Sequence, residues 1–429
     1  MSTMNDVNDK TILILGGSSD GVETVRNAND MGMKTIVVDP IPGSPAKKIA
    51  WKSYDVDAID LEALVKICNK EKVDGVFVGL SERLLETYCK LCNRIGAPCY
   101  CTLEQISIFC DKIAFKQKCR EYGIPVVNDY SLDDNIPFPV LVKPADSSGS
   151  KGITVCHNHE ELLSGIKKAK FFSHTGRYLI EDYLTGDQIT ANYTIVDSKP
   201  FLSLINDRFV VEPYDGLGSF GIAVAFPSKY ADLYLSTIHD NMCRMLKDLG
   251  FENTPINLQA FVEGETIRFY DPALRIGGGR AYLITEAITG FSIQKALLRF
   301  AVTGKLCADN ESVILADDDW RIRGKYSLQP NLIVKTGTIG HIEGMDMIGG
   351  VPGLIAAFQM REEGETVSLA GTSQQTAIRL YFVSDTLDEL LDSYQRVIDT
   401  IRITDDKGEN MLLPPFDFRS HYEEYIKRY

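Results

Sequence analysis

The stretch FYDPALRIGGG, Phe269 to Gly279, decides how this chain is read. It has the texture of a strand end: two aromatic residues, then Asp271, Pro272 and Ala273, followed by Arg275 and three consecutive glycines. Just upstream, INLQAFV and TIRFYD flank the turn signal EGE, so the two runs form a β-hairpin. An odd-length loop puts Gln259 and Asp271 on one face of that hairpin. An amide oxygen beside a carboxylate suits magnesium, which takes hard oxygen ligands and completes its octahedron with water and nucleotide phosphates. Arg275 can fork onto a phosphate, and Gly277 to Gly279 let the backbone approach a ligand closely. The plainer alternative is a hairpin with a surface Asp–Arg pair. It accounts for neither an acid set between FY and Pro nor the glycines.

Two upstream stretches carry related chemistry. FPVLVKPADSSGSKGITVC, Phe138 to Cys156, reads as strand, loop and strand, with Lys143 at the first strand's end. Ser147, Ser148, Gly149, Ser150 and Gly152 offer hydroxyls and open backbone N–H groups, which cradle phosphate oxygens. The lysine precedes the glycines and no helix follows, so this is no Walker loop but a mobile flap over phosphates. An isolated loop of this kind is otherwise a solvent-exposed hairpin tip. LIEDYL, Leu179 to Leu184, is an apolar strand carrying Glu181. An adenine needs an apolar slot, an acceptor for its exocyclic amine and hinge backbone. Glu181 and Leu184 can supply these, although a lone strand glutamate is ordinarily exposed.

Residues 11–105 alternate strand and helix patterns: TILILGG, VETVRNANDMG, TIVVD, LEALVKICNKEK, VDGVFVGL, ERLLETYCKLCNRIG and a short strand APCYC. This is a parallel, doubly wound α/β unit. Its first turn, Gly16 to Gly21, approximates a dinucleotide loop, but Ser18 replaces the second glycine; with Asp39 ending the second strand, a nicotinamide dehydrogenase is a rival on this segment alone. Glu82 follows the strand VFVGL and reads mainly as a surface helix start. From about residue 110 the pattern becomes α+β, and residues 331–429 mix Gly-rich β patterns with one helix, LDELLDSYQRVIDTIR.

The chain has 429 residues, too many for one compact core, and a net charge of −14, which does not attract nucleic acid or anionic membrane. The N-terminus lacks the apolar core of a signal peptide and no apolar run approaches a membrane span, so a cytoplasmic location is expected. The ten cysteines suit reduced thiols. Cys89, Cys92, Cys99 and Cys101 are spaced closely enough to raise zinc, but the helical pattern around the first two reads better as packed thiols.

The order of these features is more specific than any one of them. A lysine in DK on a helix, a lysine before a Ser/Gly flap, IEDYLTG, and a hairpin ending acid–x–x–x–Arg–x–Gly–Gly resemble the ATP-grasp superfamily. The flanking domains look like its biotin carboxylase and carbamoyl-phosphate synthase branch. VKTGTIGHIEGMDMI with REEGETV is similar to bacterial L-amino-acid ligases of that branch. The resemblance implies a pre-ATP-grasp domain over 1–108, a lid over 109–185, a metal and nucleotide subdomain over 186–320 and a C-terminal subdomain over 321–429. It implies ATP and magnesium, or manganese in its place, small carboxylate and amine substrates, and a homodimer. By position, Lys112 and Lys143 match nucleotide lysines, Ser147 to Gly152 the flap, Glu181 and Leu184 adenine contacts, and Gln188 a ribose-binding glutamate. Gln259 and Asp271 match metal ligands. Arg275 matches the arginine near the transferred phosphate or the substrate carboxylate, and Arg280 and Arg208 are further candidates to hold that carboxylate. Ala273 departs from the pattern, because an asparagine metal ligand is usual there. The implied function is an ATP-dependent carboxylate–amine ligase working through an acyl phosphate; the alternative is a catalytically weakened or non-catalytic ATP-binding protein.

Overall fold

The structure is a computed structural model that describes residues 6–147, 151–210, 221–308 and 324–428. The chain is mixed α/β, with a parallel sheet at the N-terminus and antiparallel sheets after it. The first sheet comprises β1 (Thr11–Leu15), β2 (Lys34–Val38), β3 (Lys52–Tyr54) and β4 (Gly75–Phe77), in the order β3-β2-β1-β4. β1 is buried along its whole length, as a central parallel strand covered on both faces must be. Helices α1 (Ser19–Asp30) and α2 (Leu61–Glu71) connect β1 to β2 and β3 to β4, and α3 (Leu85–Ile95) follows β4. The chain steps outward from β1 to β3, then returns to β4 on the other side of β1. The crevice past the carboxyl ends of β1 and β4 is thus the switch point where open α/β sheets bind ligands.

Two local readings change. β3 escapes the sequence pattern because it is short and little buried. The expected strand APCYC does not pair: the Tyr100 N–H donates to the Tyr88 hydroxyl at 3.2 Å, and Cys99 Sγ to the Cys101 carbonyl at 3.0 Å. Contacts with α3 take backbone groups that a ladder would have used.

Helices α4 (Leu103–Phe109) and α5 (Lys112–Glu121) lead into a second sheet. Asp111 starts α5 by accepting from the Ile113 and Ala114 N–H groups, both at 3.0 Å. β5 (Asp129–Tyr130), β6 (Val140–Pro144), β7 (Thr154–Cys156) and β8 (Tyr178–Asp182) pair in the order β5-β8-β6-β7, backed by α6 (His159–Phe172). Val140, Val142, Leu162, Ile166 and Ile180 give this lid a core separate from the main one.

The remaining chain builds an eight-stranded antiparallel sheet. Its strands are β9 (Asp187–Val196), β10 (Lys199–Val210), β11 (Gly221–Phe226), β12 (Thr254–Glu263) and β13 (Thr266–Ala273), followed by the C-terminal runs Tyr326–Ile333, Leu354–Gln359 and Thr376–Ser384. The β12–β13 hairpin is closed by Gly264 and Glu265 alone, since Glu263 pairs with Thr266. The loop is therefore even, not odd. Gln259 still faces Asp271, because the register shifts beyond Ala260–Phe269 and leaves Tyr270 as an extra residue. A β-bulge, not the turn, aligns the two side chains.

The core of the first domain continues into this sheet through the helix Ile293–Thr303. Gly75 marks the contact: a Cβ there would stand 2.0 Å from the Ala301 carbonyl oxygen. Gly75→Ala is expected to lower the unfolding free energy by about 2 kcal/mol through overpacking. A urea midpoint equal to that of the wild type would show that β4 does not depend on this approach.

Candidate functional site

Two clefts meet at the carboxyl end of β13. The first, of about 830 Å3, lies between the lid and the large sheet. Its apolar walls include Val127, Leu141, Ile153, Leu184 and Phe261; its polar groups include Lys112, Lys143, Ser147, Gln188, Arg208, Gln259, Tyr270 and Asp271. The second, of about 780 Å3, lies at the switch point of the first domain, with Gly16, Ser18, Gly79, Glu82 and Arg275 in its lining.

Most of the nucleotide residues expected from sequence share the first cleft. Lys112, at the start of α5, lies 3.0 Å from Asp271 Oδ1, and its Nζ donates to the Ser147 carbonyl at 2.9 Å. Burial alone would lower the Lys112 pKa, but Asp271 more than offsets this and it stands above the usual lysine value. Asp271 is therefore paired with a lysine from α5, not with Arg275. Lys143 is only 4% exposed, donates to the Tyr270 carbonyl at 3.1 Å, and has its pKa lowered by burial against the pull of Glu181. Gly152 has φ +78°, and a Cβ there would press on Phe172 and Pro144 at 2.8 Å, which ties the base of the flap to α6. Ser148, Gly149 and Ser150 lie outside the described residues.

Glu181 lines the same cleft and is held by two lysines. Both its oxygens are engaged, one by Lys116 and one by Lys143, each at 2.7 Å. It anchors two buried ammonium groups. Lys116 is an addition the sequence analysis missed. Its signal was present: it sits four residues after Lys112, on the same helix face. Tyr270 is the second addition. Its hydroxyl lies 2.7 Å from Gln259 Oε1 and 3.1 Å from Gln188 Oε1, and burial pushes its pKa up to about 12, so it remains a neutral phenol.

Arg275 lies in the second cleft. Its Nη1 donates to the Ile276 carbonyl at 3.0 Å, while its buried Nε has no hydrogen-bond partner among the described residues. Glu82, read from sequence mainly as a surface residue, lines the same cleft. Burial raises the Glu82 pKa, partly offset by Arg275 and Lys112 and reinforced by Asp271. Arg280 is brought to neither cleft: it is buried, lies 3.4 Å from Glu23 and stacks over the Phe358 ring at 4.1 Å. In the glycine run Gly278 and Gly279 are exposed, and Gly277 lines a further pocket with Arg275. The Gly278 and Gly279 carbonyls accept from Arg379 and the Tyr381 hydroxyl at 3.0 and 2.9 Å. Asp39 accepts from the Gly17 and Ile41 N–H groups at 2.7 and 2.8 Å, so the carboxylate a nicotinamide ribose would need closes its own loop.

For a metal, the first cleft offers the Asp271 carboxylate and the Gln259 amide oxygen, paired across the hairpin. Ala273 offers no side-chain oxygen, and no group of three or more His, Cys, Asp or Glu side chains that could hold a metal ion occurs among the described residues. This donor set fits one magnesium ion completed by phosphates and water. Cys89, Cys92 and Cys101 are buried and Cys99 is partly so. No helix among the described residues is long and apolar enough to cross a membrane.

The family described as D-ala D-ala ligase C-terminus matches residues 126–210. The chain is 24% identical over 335 residues to a formate-dependent phosphoribosylglycinamide formyltransferase of Proteus mirabilis (strain HI4320), covering 74% of this chain and 82% of that protein. An L-amino acid ligase from Bacillus licheniformis matches with a TM-score of 0.74 at 15% identity, covering 93% of this chain and 99% of that one. The biotin carboxylase domain dimer of Hydrogenobacter thermophilus 2-oxoglutarate carboxylase, in complex with ADP, its magnesium salt and bicarbonate, matches with a TM-score of 0.73 at 17% identity, covering 92% and 90% of the two chains. The chain shares the overall fold of these two structures.

Two outcomes follow from the electrostatics. Glu181→Ala leaves Lys116 and Lys143 buried without their shared counter-charge and is expected to cost about 3 kcal/mol or more in unfolding free energy; a loss below about 1 kcal/mol would show that water already screens the trio. For Glu82 the sign is the opposite. An acid whose folded-state pKa is raised weakens the fold as pH rises through that pKa, and the penalty is absent below its unfolded pKa. Glu82→Gln should therefore raise the melting temperature near pH ~7.5, with the gain vanishing near pH ~4. A gain independent of pH would contradict this.

Proposed function

We propose that this chain is a member of the ATP-grasp superfamily and acts as an ATP-dependent carboxylate–amine ligase. The observation that carries the reading is the pairing of Asp271 with Gln259 across the bulged hairpin, with Lys112 on Asp271 and Lys143 buried beside them. ATP occupies the first cleft, its base between the apolar walls and its phosphates toward Lys112, Lys143 and the flap. Magnesium, when bound at Asp271 and Gln259, offsets phosphate charge and so favours departure of ADP. Lys112 and Lys143 neutralise charge on the transferring phosphoryl group, which is largely electrostatic work.

The second cleft receives the acceptor. Arg275 Nε, buried and unpartnered, holds the substrate carboxylate. An oxygen of that carboxylate attacks the γ-phosphorus and ADP leaves, giving an acyl phosphate. An amine then attacks the acyl carbon and phosphate leaves, forming a C–N bond. Glu82, on the same cleft, stands where it can take up the proton that the amine sheds. Closure of the lid keeps water from the acyl phosphate. The relatives' names support a carboxylate donor, one being formate-dependent and another an L-amino acid ligase. Ala273 keeps a second reading in view, an ATP-binding protein with weakened catalysis.

Magnesium-dependent ADP release, screened against formate, bicarbonate and amino acids singly and with amines, separates the two. The ligase reading expects a carboxylate that raises ADP release, with Asp271→Asn lowering turnover roughly 100-fold. ATP binding with no stimulation by any carboxylate, or turnover indifferent to Asp271→Asn, would overturn it.

A further inference from the structure

Arg208 carries a role beyond this assignment. It stands on β10, opposite Gln188 of β9, and its guanidinium lines the first cleft while remaining half-buried. Nη1 donates to Gln188 Oε1 and lies 3.3 Å from the Tyr270 hydroxyl. Both partners are neutral oxygens. The neighbouring cations are differently placed: Lys112 faces Asp271 at 3.0 Å, and Lys143 faces Glu181 at 2.7 Å. Arg208 forms no ion pair among the described residues.

A guanidinium drawn partly out of water onto neutral acceptors bears a desolvation cost with no counter-charge to offset it. That arrangement is favoured where an anion completes it, and the planar fork of arginine suits phosphate oxygens. The surroundings point the same way. Gln188 and Gln259 are amides, Ala273 brings no oxygen, and Asp271 is the sole carboxylate at the metal position. The Tyr270 hydroxyl lies within hydrogen-bonding distance of both glutamines, so Arg208 and the proposed metal position belong to one network. A cleft this poor in anionic ligands holds fewer metal ions, and positive charge for a polyphosphate must then come from the protein.

We propose that Arg208 binds the phosphate chain of the nucleotide as a fixed cation, taking over the charge neutralisation that a second metal ion would otherwise supply. This rests on the nucleotide reading of the first cleft. It differs from the expectation, drawn from sequence, that Arg208 holds the substrate carboxylate.

Calorimetric titration of the full chain with ADP and with adenosine, each with magnesium and with EDTA, tests it on wild type, Arg208→Gln and Arg208→Lys. Arg208→Gln keeps a donor for Gln188, and its melting temperature controls for folding. The expected result is a loss of ADP affinity of about 30-fold in Arg208→Gln, larger in EDTA than in magnesium, with adenosine binding unchanged and Arg208→Lys in between. Equal losses for ADP and adenosine, or ADP affinity unchanged in Arg208→Gln, would overturn this inference alone. A wild type that binds neither ADP nor ATP would overturn the nucleotide reading with it.

Discussion

Because strand side chains alternate between faces, the single extra residue at Tyr270 governs what the first cleft can do. Without it, Gln259 would stand opposite Tyr270, and Asp271 would be out of step with the side chains of β12. With it, Gln259 and Asp271 face each other, and the Tyr270 hydroxyl reaches both Gln259 and Gln188. The same shift sets the strand end from which Arg275 enters the neighbouring cleft. Register, more than any loop, brings the nucleotide and acceptor sides together.

Charge is arranged around that register in two unequal groups. Glu181 holds Lys116 and Lys143 in a buried trio, which fixes lysine positions before any ligand arrives. Such preorganisation is what electrostatic stabilisation of phosphoryl transfer needs, since nothing must then reorient at the reacting centre. The Lys112–Asp271 pair is different, because in the proposed ligase both members act on a ligand. The carboxylate can pass to a metal and the ammonium to a phosphate, so the pair keeps each partner solvated by the other until the nucleotide enters.

Much of this was legible in the sequence. The βα alternation at the N-terminus, the Lys143 loop, the β12–β13 hairpin and the nearness of Gln259 to Asp271 all rest on local patterns. What was not legible depends on long-range pairing. A bulge leaves no mark in an alternating pattern, so the hairpin loop was read with the wrong parity although its functional consequence was right. Lys116 and Tyr270 carry their roles through partners 65 and 82 residues away, Glu181 and Gln188. Glu82 looked like an ordinary helix start until Arg275, from another sheet, was seen to line the same cleft. Arg280 is likewise placed by a long-range contact, since its neighbour Glu23 belongs to α1.

The central claim is that Asp271 and Gln259 make a magnesium–nucleotide site with oxygen enough for one metal ion. Manganese, used as a spin-active substitute for magnesium and titrated into the protein with excess ADP, tests this most directly by electron paramagnetic resonance. The account predicts one ADP-dependent ion per chain, lost in Asp271→Asn. Two ions per chain, or one that survives Asp271→Asn, would contradict it.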